Sequence, residues 1–128
     1  MNFSYTPKVL DLQQRVQSFM DTNVLPHISN WHRQTQKGRL PLALLEELKS
    51  KARADQLWNL FLPGLKESEP GTQLTNLEYA PLAEIMGRVS WASEVFNCSA
   101  PATGNMELLH RFATQQQYDE RLIPLLNG

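Results

Sequence analysis

Cysteine is nearly absent: Cys98 alone stands in 128 residues. An internal disulfide framework is therefore impossible, and a reducing compartment fits the chain. An excess of charge of one sign is also missing. Twelve Lys and Arg face 13 Asp and Glu, a net −1, so no overall field draws in nucleic acid or an anionic membrane. Long hydrophobic runs are missing too. The stretch Leu57 to Leu65 is interrupted by Asn59 and Pro63, far short of the ~20 apolar residues a membrane span requires. The opening Met1 to Pro7 has neither the basic-then-apolar pattern of a signal peptide nor an Arg-rich transit segment, so no export is expected. Glycine-rich phosphate loops of either common spacing do not occur. The Trp and Phe residues fall at core spacing without interleaved basic residues, which removes a base-stacking platform.

What remains is an ordinary globular composition, 41% hydrophobic, enough for one domain with one sizeable core. Thr6 before Pro7 reads as an N-cap with proline at the first helical position. Val9, Leu12, Val16, Phe19, Met20 and Val24 then recur at helical spacing and predict a helix over 7–24. Pro26 ends or kinks it, and Ile28 and Trp31 suggest a short continuation before Gly38. Pro41 opens a second helix with Leu42, Leu45, Leu48 and Ala52 on one face. Leu57 to Pro63 reads as a buried extended connector, and 64–73, with Pro70-Gly71, as a polar mobile loop.

Thr75 and Glu78 form a capping box, with Leu74 and Tyr79 placed for a hydrophobic staple. The helix they open carries Leu82, Ile85, Met86 and Val89 at its period, with Gly87 read as its end and Pro81 costing it one early hydrogen bond. Ser90 is placed to cap a helix through Trp91, Val95 and Phe96, which Pro101 and Gly104 interrupt before Met106, Leu109 and Phe112 resume the period. Thr114 and Gln117 form a second capping box, opening a last helix through Tyr118, Leu122 and Leu125. No β-hairpin signal occurs. The expectation is all-α, an up-and-down-like bundle of about six helices.

Candidate chemistry is sparse. His27, His32 and His110 have no zinc-ligand spacing. Glu107-Leu-Leu-His110 matches the Glu-x-x-His element of di-iron bundles, but one copy is too few, and a solvated helix face accounts for it better. No metal site is expected. Cys98 has no flanking elbow and reads as a small buried hydrophobe, while Glu46, Glu47, Glu67 and Glu69 read as surface charge. The segment Asn97-Cys98-Ser99-Ala100-Pro101-Ala102-Thr103-Gly104-Asn105 joins two helices with small and polar residues, so it is either a tight interhelical turn or a surface for something to pack against.

Trp58 to Pro63, Leu74 to Arg88 and Glu94 to Glu107 resemble the acyl-CoA dehydrogenase family, in particular its long-chain branch that includes family members 10 and 11. Leu108 to Gly128 resembles the helix that follows in that family, so the likeness covers nearly the whole chain in order, and 1–128 is expected to be the N-terminal helical domain. The chain departs from the family by an insertion at 101–105 relative to shorter-chain relatives and by lacking the usual paired glycine in 64–73.

The resemblance implies a three-part enzyme with a middle β-domain and a C-terminal helical bundle, neither within these residues. Such enzymes desaturate a fatty acyl-CoA thioester to its trans-2-enoyl product: a glutamate takes the α-proton, hydride passes to the N5 of FAD, and an electron-transfer flavoprotein accepts the electrons. The thioester carbonyl and its hydrogen bonds stabilise the developing enolate charge. The base and most FAD contacts lie in the later domains, so no catalytic or cofactor-binding residue and no turnover is expected of these residues alone. The resemblance gives this domain one wall of the acyl pocket, carried onto Val95, Phe96, Asn97, Cys98, Ala100, Thr103 and Met106. Cut from such an enzyme, the domain would expose apolar surface that the β-domain and partner subunits cover, so a homo-oligomer, a dimer or larger, is expected. A stand-alone bacterial, cytoplasmic enzyme is the simplest source, with the chain an expressed fragment or a truncated product. The alternative is a non-catalytic helical interaction module or decayed paralogue.

Overall fold

The computed structural model describes residues 4–128; of the opening segment, Met1 to Phe3 lie outside it. Among the described residues there is no strand, as the hydrophobic periodicity predicts. The α-helical stretches are α1 (Pro7–Phe19), α2 (Ile28–Thr35), α3 (Leu42–Ala54), α4 (Asn76–Met86), α5 (Ala92–Val95), α6 (Ala102–Phe112), α7 (Gln115–Gln117) and α8 (Ile123–Asn127). They group into six bodies because α1 runs into α2 through the wide turn Met20–Val24 and the tight turn Leu25–His27, and α7 runs into α8 through the wide turn Tyr118–Leu122.

Both wide turns have the same sequence cause. A proline ring collides with the carbonyl four residues earlier. Pro26 and Pro124 each follow a wide turn by two residues. There the Leu25 and Ile123 amides reach back five residues, to Met20 and Tyr118, which lets the chain pass its proline without stopping. Pro81 sits inside α4, where the carbonyl that loses its donor belongs to Leu77, an exposed residue open to water.

Local capping follows the sequence at three places. Thr6 accepts from the Val9 amide at 3.3 Å. The boxes Thr75/Glu78 and Thr114/Gln117 both close. Leu74 is buried and Tyr79 packs against the same core, completing the staple. Three expectations about helix ends and faces are corrected. Ser90 caps nothing: α5 begins at Ala92 after Trp91, without a side-chain cap. Gly104 does not interrupt α6 but lies in its first turn. Leu42 is exposed rather than on the buried face of α3, which Leu48 and Ala52 supply.

The main core gathers Leu12, Val16, Phe19, Leu48, Leu60, Leu82, Val95 and Phe96, with α1 on α4 and α3 on α5. Trp31 and Trp91 stack 4.1 Å apart within it, and Phe96 meets Phe19 edge-on at 5.2 Å. A smaller cluster of Leu62, Leu65, Met106, Leu122 and Leu126 lies where α6 and α8 meet the connector; Phe61 touches both. Leu57 to Pro63 is buried as expected but is not extended: it turns at Asn59, whose φ is +48.

Candidate functional site

The helix junction singled out by sequence lies between α5 and α6, and its centre is Asn97. The residue takes φ +55, a left-handed conformation that asparagine tolerates better than most side chains. This turns its carboxamide inward. Asn97 Nδ2 donates to Asn59 Oδ1 at 2.7 Å and to the Leu125 carbonyl at 2.9 Å. Asn59 is wholly buried; its own Nδ2 donates to the Pro70 and Leu126 carbonyls at 2.7 and 2.8 Å. Its amide donates to the Phe96 carbonyl at 3.1 Å. The Trp58 indole N–H donates to Leu126 O at 2.8 Å, and Arg53, stacked over the Trp58 ring at 4.4 Å, donates to Asn127 O.

The last carbonyls of a helix have no partner within it. Here those of Leu126 and Asn127, and that of Leu125 beside its 3.2 Å bond from the Gly128 amide, are taken up by side chains from α3, the connector and the junction. Gly71 fits against this clamp because it has no side chain. At its φ of +144, a Cβ would stand 2.6 Å from Leu65 and 2.9 Å from Asn59.

A second polar knot ties down 64–73, which is anchored rather than loose. Glu69 is buried, against the surface position read from sequence. It accepts from the Lys66 amide at 2.6 Å and from the Tyr118 hydroxyl, and His110 Nε2 lies 3.2 Å away. Burial alone would raise the Glu69 pKa, but the bonds from Lys66, Tyr118 and His110 outweigh it and hold the carboxyl below the usual range. The same contact pushes Tyr118 up to about 12. His110 thus faces the loop rather than solvent. Among the described residues no three His, Cys, Asp or Glu side chains gather as a metal site would require.

The seven residues assigned to the pocket wall divide into inner and outer sets. Val95 and Phe96 lie inside the main core and Met106 inside the smaller one. Asn97 belongs to the clamp. Cys98 is buried, its thiol 3.2 Å from the Phe96 carbonyl, and burial pushes its pKa up to about 12, so it stays a neutral thiol. Only Thr103, half-buried, and Ala100, exposed, face outward. Beside them, a groove of about 470 Å³ runs between α6 and α8, lined by Asn105, Leu108, Leu109, Pro124 and Leu125 with Glu120 and Arg121. Leu108 and Phe112 stand exposed along the same helix.

Around the junction, the buried side chains are apolar or held in internal hydrogen bonds. Sequence reasoning missed Asn59, although a polar residue inside a buried apolar run is itself the sign of a satisfied interior group. Glu69, Tyr118 and His110 carry no such sign. Among the described residues, no helix is long and apolar enough to cross a membrane.

Residues 6–128 match the family model described as acyl-CoA dehydrogenase, N-terminal domain. Mouse acyl-CoA dehydrogenase family member 10 is 46% identical over 129 residues, covering 96% of this chain and 12% of that protein. "Probable acyl-CoA dehydrogenase FadE2" of Mycobacterium tuberculosis is 42% identical over 133 residues, covering 100% of the chain and 31% of the relative. A solved structure, "a putative acyl-CoA dehydrogenase from Mycobacterium abscessus", superposes with a TM-score of 0.81 at 42% identity, over 98% of this chain and 33% of that one. The chain therefore spans a third or less of the length of these relatives. It belongs to the acyl-CoA dehydrogenase family and corresponds to that family's N-terminal helical domain.

Proposed function

We propose that this domain serves an FAD-dependent oxidoreductase that introduces the 2,3-double bond into fatty acyl-CoA thioesters and passes its electrons to an electron-transfer flavoprotein. The family match over 6–128 carries this reading. The domain's own part is one wall of the acyl pocket around residues 95–106. Val95, Phe96 and Met106 form the packed backing of that wall, Asn97 and Cys98 its floor, and Ala100 and Thr103 the face open to a chain. Small, uncharged side chains at Ala100 and Thr103 over a packed apolar backing suit a hydrocarbon tail, which needs burial and no hydrogen bonds.

The residues present do not fit a flavin. A flavin edge needs free donors and acceptors, whereas the interior carboxamides of Asn59 and Asn97 and the Glu69 carboxylate are committed to internal partners. We accordingly assign FAD and the catalytic base to residues outside this chain. The buried Cys98 thiol suits a reducing compartment, and we place the enzyme in the cytoplasm of a bacterium.

The test uses the full-length protein. It should carry flavin absorbance and oxidise a series of acyl-CoA substrates, while the 128-residue chain should do neither. In the full-length enzyme, Thr103→Trp and Ala100→Trp should shift preference toward shorter chains, raising KM for long substrates about tenfold with smaller effects on kcat, as lost contact of one or two methylenes would. An unchanged chain-length profile in both variants would remove the wall assignment and leave the activity standing.

A further inference from the structure

The net charge of −1 averages over a strong local asymmetry. From Thr22 to Leu45 there is no Asp or Glu, and Arg33, Lys37 and Arg39 fall within that stretch. All three are exposed, and among the described residues none of their side chains has an ion pair or hydrogen bond. The next acids along the chain do not compensate them. Glu46 lies 3.8 Å from Lys49 and Glu47 lies 2.7 Å from Lys51, each paired on its own helix.

Two large apolar side chains stand in water at the same turn: Leu40 is 68% exposed and Leu42 62%. Pro41 between them is buried. The turn is also preformed. Gly38, at φ +69, lets the chain reverse, its amide donates to the Thr35 carbonyl at 2.9 Å, and the Arg39 amide donates to the Gln34 carbonyl at 3.2 Å. Little order remains to be acquired on binding, so the contact energy is not spent on ordering the backbone.

We propose that the turn between α2 and α3 docks on an anionic membrane surface, with Leu40 and Leu42 entering the headgroup layer and Arg33, Lys37 and Arg39 lying against lipid phosphates. The combination selects this partner. An acidic protein would satisfy the cations and leave the leucines wet, whereas an apolar groove would take the leucines and strand the cations. A lipid interface accepts both. Each cation near an anionic surface strengthens association roughly fivefold, so three together give on the order of a hundredfold. Attachment is peripheral, through this turn alone, and is independent of the dehydrogenase reading.

Co-sedimentation of the chain with phosphatidylcholine vesicles, with and without phosphatidylserine, tests it. Binding is expected only with phosphatidylserine and should weaken as salt rises. Arg33→Gln, Lys37→Gln and Arg39→Gln together should lower it by about a hundredfold. Leu40→Ser with Leu42→Ser should also lower it, leaving a remainder that salt abolishes. All five positions are exposed, and far-UV circular dichroism checks that the variants remain helical. Absence of binding to phosphatidylserine vesicles overturns the proposal, as does binding that the charge variants leave unchanged. Retention on immobilised polyglutamate without vesicle binding also overturns it and assigns the turn to an acidic protein.

Discussion

Asn59 and Asn97 are the two residues on which the interior depends most for its polar balance. Each carboxamide has two donor hydrogens, and all four are used: on Pro70 and Leu126 by Asn59, and on Leu125 and the Asn59 oxygen by Asn97. Removing one partner leaves the other's desolvation uncompensated, which costs more than the bond itself contributed. Asn97→Ala should therefore destabilise the chain by about 2–4 kcal/mol, from the orphaned Asn59 oxygen and an alanine forced to positive φ. Asn97→Gly removes the second cost and should recover about 1 kcal/mol of it. Urea unfolding at constant m-value measures both. Equal losses would show that the backbone conformation contributes nothing. Asn59 was legible as an anomaly in an apolar run, but its pairing with Asn97 was not. The two lie 38 residues apart, and no local rule reaches that far.

At the scale of elements, what was readable was what is local. The capping boxes close within three residues, and Pro26 acts on the turn just before it, so both could be taken from spacing. The same action of Pro124 was not read. The anchored loop could not, because Glu69 finds His110 and Tyr118 across 41 and 49 residues. Its contribution has a defined pH sign. Glu69 is held below its ordinary carboxyl value of 4.5 in the fold. Its stabilisation is therefore present above that value and lost as pH falls through the folded pKa. Tyr118 runs the opposite way: its neutral form is favoured, so its contribution holds below pH 10 and is lost as pH rises toward about 12. Glu69→Gln should flatten the acid limb of a thermal-melt series from pH 6 to 3 and lower stability at neutral pH by about 1–3 kcal/mol. An unchanged acid limb would mean that the knot is not a source of acid sensitivity.

At the scale of the whole molecule, the described residues form two packed clusters joined through Phe61 and an outer helix, α6, that leaves Leu108 and Phe112 in water. Contiguous apolar surface of this kind favours association. We expect the 128-residue chain to form dimers or larger species at high concentration, and Leu108→Ser with Phe112→Ser to return it to monomers. Sedimentation velocity distinguishes these; a monomer at every concentration in the unsubstituted chain removes the expectation. The all-helical class was legible at this scale because periodicity and caps agree along the whole chain. The division into two clusters was not, since apolar spacing says which face is buried and not against what.

The clamp on Leu125, Leu126 and Asn127 also decides how the chain bears load. Tension applied at Gly128 does not simply peel α8 away turn by turn. It passes through the bonded carbonyls to Asn97, Asn59, Trp58 and Arg53, which must yield together, as bolts in shear do rather than a zip. Two of those four residues, Asn59 and Asn97, are buried asparagines. A pull or twist delivered at the end of α8 is thereby felt at the α5–α6 junction, nearly thirty residues back along the chain, as 28 residues separate Asn97 from Leu125.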